Sequence, residues 1–521
     1  MKNWLKTIFL LPALHSCAVA QDPVQLKYAE ALTTASAKTH LTLLASPAFE
    51  GRGTGQKGGE KAAHYIADQF KSYGLKAPVN GTFFQPVQLL KKYYKAEGLQ
   101  INGEQYLQGK DFYVQGVNTL SSFQADEVVF IGFGIQDEKY NDLANVSIKN
   151  KIVLLINEGE PKDKNGNAII TGTHKESEWS TSRFKRLQEI AKQQPKLILA
   201  TGSYVQDNIK RFGTRLGGGS FSLANPKAEQ ETAVNTVPPV IHFSEKLANQ
   251  FLLPTGKTIE GLTKNPSSFT FPLRVKAEMG MVNERFYDPN VLGLLEGSDL
   301  KDEILVVSGH YDHDGILPDG TIFPGADDNG SGTVGVLELA RVFTKAKAEG
   351  HGPRRSILFI ALAAEEKGLL GSKFYTENPV FPLANTVVCL NIDMIGRIDD
   401  KHLDNNHNYV HAIGTDKLSS ELKQITEKAN MSYTNMELDY MYDDPKDPMR
   451  LYYRSDHYNF AQKGIPSAFF FSGLHPHYHT PEDTVDKIDF PMMVKREKLI
   501  FHILWEIANR AERIKVDSNK E

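Results

Sequence analysis

Imidazoles and carboxylates crowd one strand–helix connection in this chain. Residues 308–332 read SGHYDHDGILPDGTIFPGADDNGSG. The apolar run 304–307 predicts a short buried strand, and 333–345, with Val336, Leu339, Ala340 and Phe343 at helical spacing, predicts a helix. His310, Asp312, His313, Asp327 and Asp328 therefore fall where a strand gives way to a helix. Burying such groups is costly unless they are paired or bound to a metal. In open α/β sheets that end of a strand is where ligands bind. Taken singly, each is better read as a solvated loop residue. The pattern repeats, however: 356–361 runs into Ala364, Glu365 and Glu366, and Thr386–Ile392 runs into Asp393. The apolar run 466–471 leads to HPHYHTPED. Acids or histidines after four apolar strands form a convergent cluster, and a metal site explains it most economically.

Divalent ions such as zinc take imidazole nitrogen and carboxylate oxygen, and a catalytic zinc keeps one position open for water. Two zincs bridged by a carboxylate can share an activated hydroxide and polarise a carbonyl, which takes about five protein ligands and a separate base. His310, Asp328, Glu366, Asp393 and His479 supply that number, with Glu365 spare.

The elements that must position these groups follow from the rest of the chain. At 521 residues, about two or three domains are expected. A net charge of −4 argues against nucleic-acid binding, which wants a basic face. Residues 1–20 have the pattern of an export signal: Lys2 and Lys6, an apolar core over 8–14, and Ala18-Val19-Ala20 before Gln21. Lipoprotein processing at Cys17 is the less favoured alternative, because His15 suits it poorly. Either route exports the protein to the periplasm or beyond, and no later stretch has the length of a membrane span. After cleavage Cys389 alone remains, in an apolar strand, so no internal disulfide can form.

Residues 28–44 and 60–73 predict amphipathic helices, with Gly74 just past the second. The glycines of FEGRGTGQKGG (49–59) make only a weak phosphate loop, since no strand precedes them and no Gly-Lys-Ser/Thr closes them. From about 99 to 271 short β-type runs alternate with polar turns, without acids clustered at strand ends. From 290 to 513 strands and helices alternate, closing on a helix over 495–513. The expected fold is α/β, a mixed, mainly parallel sheet covered by helices on both faces, with an inserted β-rich domain. The expected division is a signal at 1–20, the first part of the main domain at 21–100, the insertion at 101–272 and the rest of the main domain at 273–515.

The motifs GHYDH, GADDNGSG, AAEEKGLLGS, NIDMIG and YHTPED, in that order and spacing, resemble the co-catalytic zinc aminopeptidases, relatives of glutamate carboxypeptidase, glutaminyl cyclase and transferrin receptor. VVFIGFGI and KNKIVLLINEGEP make the insertion resemble a protease-associated domain. The resemblance implies two zinc ions, or another divalent metal. His310 and Asp393 would hold one, Glu366 and His479 the other, and Asp328 would bridge them. Glu365 would be the general base for a metal-bound hydroxide, and Tyr478 would donate to the oxyanion. Asp312 would orient the His310 imidazole from outside the metal shell.

Beyond these, Asp327 is expected as a helix N-cap, His313, His475 and His477 as loop residues near the mouth, and Ser455-Asp456-His457 as structural. Specificity residues are expected from loops such as 435–454. The implied activity is removal of N-terminal residues from peptides. Carboxypeptidase and cyclase activities are alternatives on the same fold, and a metal-free receptor-like binding module is the alternative outside enzymes. Preferred residue, native metal and oligomeric state are not legible in the sequence.

Overall fold

A computed structural model describes residues 21–116, 121–210, 219–224, 238–317, 319–402 and 406–519. The signal-like stretch, Cys17 included, lies outside the described residues.

Strand Leu300–His310 sits at the centre of one half of a long sheet, flanked in parallel by Arg355–Leu362 and Thr386–Ile392. Ser467–Phe471 continues the parallel set beyond Thr386–Ile392. Tyr409–Ile413 then runs antiparallel to it, with Glu437–Asp439 at the edge. The period-two pattern of the strands divides their side chains between two faces. Leu305, Val307, Ile357, Phe359 and Leu390 enter one core, and Ile304, Val306, Leu358, Ile360 and Cys389 the other.

The first face is covered by helices Gly332–Ala348 and Phe490–Asn509, joined by Thr34–Leu44 and Lys57–Ser72 from the start of the chain. Helices Leu370–Glu377 and His457–Ala461 lie on the other side. Helical spacing had predicted one helix over 28–44. The chain instead ends a first helix, Pro23–Ala29, and starts a second, because the Thr33 hydroxyl accepts from Ser36 N as an N-cap. The last helix begins at Phe490, capped by the Asp489 carboxylate on Met492 N, and ends at Asn509, short of the expected 513.

The long strand Ser268–Leu295 pairs antiparallel with Arg355–Leu362 at one end and with Ser121–Ile131 at the other, so one sheet runs through both cores. Beyond it, Ile152–Ile156, Leu197–Thr201 and Val240–Phe243 are parallel neighbours over a separate apolar core. This segment also carries helices Arg183–Lys192 and Glu245–Leu252, which its strand-type texture did not foretell. In the first, Phe184, Leu187, Ile190 and Ala191 recur at helical spacing, but only Ile190 of them is buried. Among the described residues no helix is long and apolar enough to cross a membrane.

Candidate metal centre

The acids and imidazoles gather at the carboxyl ends of the parallel strands. His310 ends its strand, Asp393 follows Ile392 directly, and Glu365 and Glu366 lie just past Leu362. Ala364, Met394 and His479 have positive φ of 54°, 53° and 53°. Non-glycine residues rarely adopt that conformation, and here each turns the chain sharply beside or at a site residue. The 325–332 loop is tied to the next strand by Asn329, whose amide donates to Ile392 O at 2.9 Å and accepts from Gly332 N at 2.8 Å and Met394 N at 3.1 Å. Gly332 permits this closeness, since a Cβ there would come within 2.2 Å of Ile392 O.

Two donor sets share Asp328. In the first, His310 Nε2 lies 3.4 Å from Asp393 Oδ1 and 3.6 Å from Asp328 Oδ1, with Glu365 Oε2 at 3.8 Å. In the second, Asp328 Oδ2 lies 3.1 Å from His479 Nε2, and Glu366 Oε1 lies 3.5 Å from the same nitrogen. Five expected ligands and the expected base thus come together. Asp393 Oδ1 is buried and makes no hydrogen bond, which fits a donor facing a cation better than a settled protein contact. The chemistry of the set, imidazole with carboxylate, suits zinc or a similar divalent ion.

Glu365 also lies close enough to join His310 and Asp393 as a donor, so distance alone does not separate base from ligand. The environments do differ. Burial, aided by the Glu366 and Asp393 charges, pushes the Glu365 carboxyl well above the ordinary range. Burial acts on Glu366 too, but the His479 and His313 imidazoles outweigh it and hold Glu366 well below that range.

Several supporting contacts differ from expectation. The Asp312 carboxylate is 3.8 Å from His310 Nδ1, while its own backbone carbonyl accepts from that nitrogen at 3.1 Å. Its oxygens instead accept from Glu365 N at 3.0 Å, Glu366 N at 3.4 Å and Thr54 Oγ1 at 2.8 Å. Asp312 therefore holds both glutamates more than it holds the imidazole. Asp327 is no N-cap: its carboxylate accepts from Gly396 N at 2.7 Å and Ser331 Oγ at 2.9 Å. His313 and His475 are buried rather than at the mouth, His475 Nε2 lying 3.5 Å from Asp327 Oδ2. The half-buried His477 accepts from Arg397. Ser455 Oγ donates to Asp393 Oδ2 at 2.6 Å. Tyr478 packs edge-on against His479, 3.9 Å between ring centres, and its hydroxyl accepts from Arg454 at 3.3 Å. Burial and the nearby Asp328 and Glu366 charges push its phenol well above the ordinary value, so the O–H proton is retained.

Sequence reasoning passed over four residues around the site. Asp314 Oδ2 accepts from His479 Nδ1 at 2.8 Å, the partner that orients a ligand imidazole. Asp483 accepts from Asp327 N and Asp328 N at 3.0 Å and 3.1 Å, aiming Asp328. Arg52 and Thr54 come from the glycine-rich loop. Asp483 stood inside a quoted motif and Asp314 two residues past Asp312, so both had a signal; Arg52 had none.

A second buried cluster lies on the same edge. Asp399 meets His402 Nδ1 with one oxygen and His411 Nε2 with the other, each at 2.7 Å.

An open α/β sheet bearing shared acid–imidazole donor sets at its carboxyl edge defines a protein built to hold divalent metal. Residues 290–504 match Peptidase family M28. A probable leucine aminopeptidase of Arthroderma benhamiae is 30% identical over 240 residues, 44% of this chain and 61% of its own length. Aminopeptidase YwaD of Bacillus subtilis is 29% identical over 43% of this chain and 46% of its own. The chain thus spans about three fifths of the first of these curated relatives, or less. The zinc aminopeptidase BSAP from Bacillus subtilis shares the fold over 94% of this chain and 98% of its own, with TM-score 0.53 and 19% identity. An aminopeptidase from Aneurinibacillus sp. strain AM-1 does so over 95% and 99%, with TM-score 0.51 and 19% identity.

Proposed function

We propose that this protein is an exported, zinc-dependent aminopeptidase that removes N-terminal residues from peptides. The observation that carries the reading is the pair of donor sets sharing Asp328, with the Glu365 carboxylate beside the first. His310, Asp328 and Asp393 would hold one ion, and Asp328, Glu366 and His479 the other. Two such ions supply Lewis acidity and an acidified water. The chain's own groups do the rest. Glu365, its proton affinity raised by burial, takes a proton from the attacking water and passes it to the leaving amine. The Tyr478 hydroxyl donates toward the carbonyl oxygen as it gains charge. Asp312 fixes both glutamates through their amides, and Asp314 fixes His479. Acidic groups at the site would hold the substrate's free α-amine.

Residues 101–272 are proposed as the inserted, protease-associated-like domain, between 21–100 and 273–515. No side chain described from it belongs to either donor set. Its part is access: a cleft of about 1050 Å³ runs from Asp314 and Glu366 past Phe221, Phe286 and Tyr93. Residues 435–454, expected to shape specificity, do not line this cleft, although Arg454 reaches Tyr478.

Lys57, Lys91, Lys95 and Lys367 also line the cleft, and they favour a glutamate-type carboxypeptidase as the second reading, since that activity must bind a substrate carboxylate. The test is a panel of aminoacyl reporters and N-acetylated peptides, with and without chelator. The same preparation's metal content and intact mass check for two ions and for cleavage before Gln21. Chelator-sensitive release from free N-termini only is expected. Cleavage of blocked peptides from the other end would replace this reading with the carboxypeptidase, and activity untouched by chelation would remove both.

A further inference from the structure

His313 stands where the five-ligand set has no member. Its ring is buried, and Nδ1 lies 3.1 Å from Glu366 Oε1 and 3.6 Å from Asp328 Oδ2. Those are the same two oxygens that approach His479 Nε2, at 3.5 Å and 3.1 Å. Four donor atoms from four residues thus face one another, with four of their six separations between 3.1 and 3.6 Å. Four ligands placed tetrahedrally at zinc bond lengths of about 2.0–2.1 Å lie about 3.3–3.4 Å from one another. The ring planes of His313 and His479 are inclined at 47°, with centres 5.4 Å apart, a spacing that allows both imidazoles to face the same two carboxylates. Gly325 keeps the His313 ring in place, because its backbone lies so close that a Cβ would come within 2.5 Å of the imidazole Cγ.

We propose that His313 is a sixth metal ligand, closing a four-residue shell of His313, Asp328, Glu366 and His479 around one of the two ions. The inference rests on the two-ion reading above and makes its two sites unequal. One ion has four protein donors, the number typical of a closed structural zinc site. The other has His310, Asp328 and Asp393, leaving a position open on the side of Glu365. The side of the site beside Glu365 would then be the one left to water and substrate, while the four-residue shell would anchor Asp328. The simpler account makes His313 a hydrogen-bond donor to Glu366, outside the shell. Its Nε2 has no hydrogen-bond partner under either account and does not choose between them.

The test is a titration of metal-free protein with Co2+, followed by calorimetry and visible absorption, which is far more intense for tetrahedral cobalt than for higher coordination. In the wild type the first equivalent should bind more tightly and give the tetrahedral spectrum. His313→Gln keeps a hydrogen-bonding group near Glu366 but removes the imidazole. It should weaken that tighter site by more than about a hundred-fold, beyond the 10–100-fold cost of losing an outer partner. An unchanged first affinity and spectrum in His313→Gln overturns the proposal and leaves the two-ion reading standing. A wild type that binds no divalent ion overturns both. Should the variant not fold, anomalous diffraction from zinc-loaded wild-type crystals decides the matter. An ion about 2.0–2.1 Å from His313 Nδ1 supports the proposal, and one beyond about 3 Å overturns it.

Discussion

Adjacent Glu365 and Glu366 are identical side chains held in opposite electrostatic surroundings. Glu366 faces His313 and His479, which favour its ionised form, whereas at Glu365 burial and the Glu366 and Asp393 charges outweigh the His310 imidazole and raise its proton affinity. Glu365→Gln preserves shape and removes the basic oxygen, so metal content should survive while turnover falls by roughly a hundred-fold or more. Glu366→Gln should shed metal first and lose turnover as a consequence. Metal stoichiometry measured beside kinetics on both variants checks this, and loss of metal from Glu365→Gln alone would reverse the two roles. The order of the pair, base then ligand, is what the family resemblance implies. The physical difference between them was not legible in the sequence, because the histidines facing Glu366 come from positions 313 and 479.

At the scale of elements, the glycine-rich loop near the start of the chain acts as a clasp on the site. Arg52 is fully buried and donates to four backbone carbonyls: Leu44, Tyr311, Pro324 and Gly325, at 2.7–2.9 Å. Thr54 Oγ1 reaches Asp312, and Gly55 N donates to Asp288. Residues far apart in sequence thus fix both ends of the loop that carries His313 and Asp328. Arg52→Lys keeps the charge but not the planar fork, so it should lower stability by roughly 2–4 kcal/mol. Denaturant unfolding measures the loss, and a change within about 0.5 kcal/mol would remove the clasp from this account. Nothing in FEGRGTG distinguished a buried clasp from a surface loop. The strands ending at His310, Leu362 and Ile392 were legible, because a continuous apolar run four to eight residues long has few other uses.

Across the whole molecule, the Ser268–Leu295 strand joins the two cores into one sheet and sets the cleft between them. Phe221, edge-on to Phe286 with centres 6.1 Å apart and with Lys367 Nζ 5.9 Å from its ring centre, lines the cleft together with Glu366. Phe221→Ala should raise KM several-fold for peptides long enough to occupy the cleft and leave kcat and single-residue reporters nearly unchanged. Equal effects on long and short substrates would place the substrate elsewhere. The sequence by itself determined the alternation of strands and helices, the strand ends at which acids collect, and the six residues that became the expected ligands and base. Those features are local: hydrophobic period and motif order are carried by neighbouring residues. Tertiary structure alone decided that His313 turns inward, that Asp314 and Asp483 hold His479 and Asp328, and that Arg52 binds the site loop. Each of those depends on a contact between segments distant in the chain, and no periodicity or spacing records which carbonyl a buried side chain will meet.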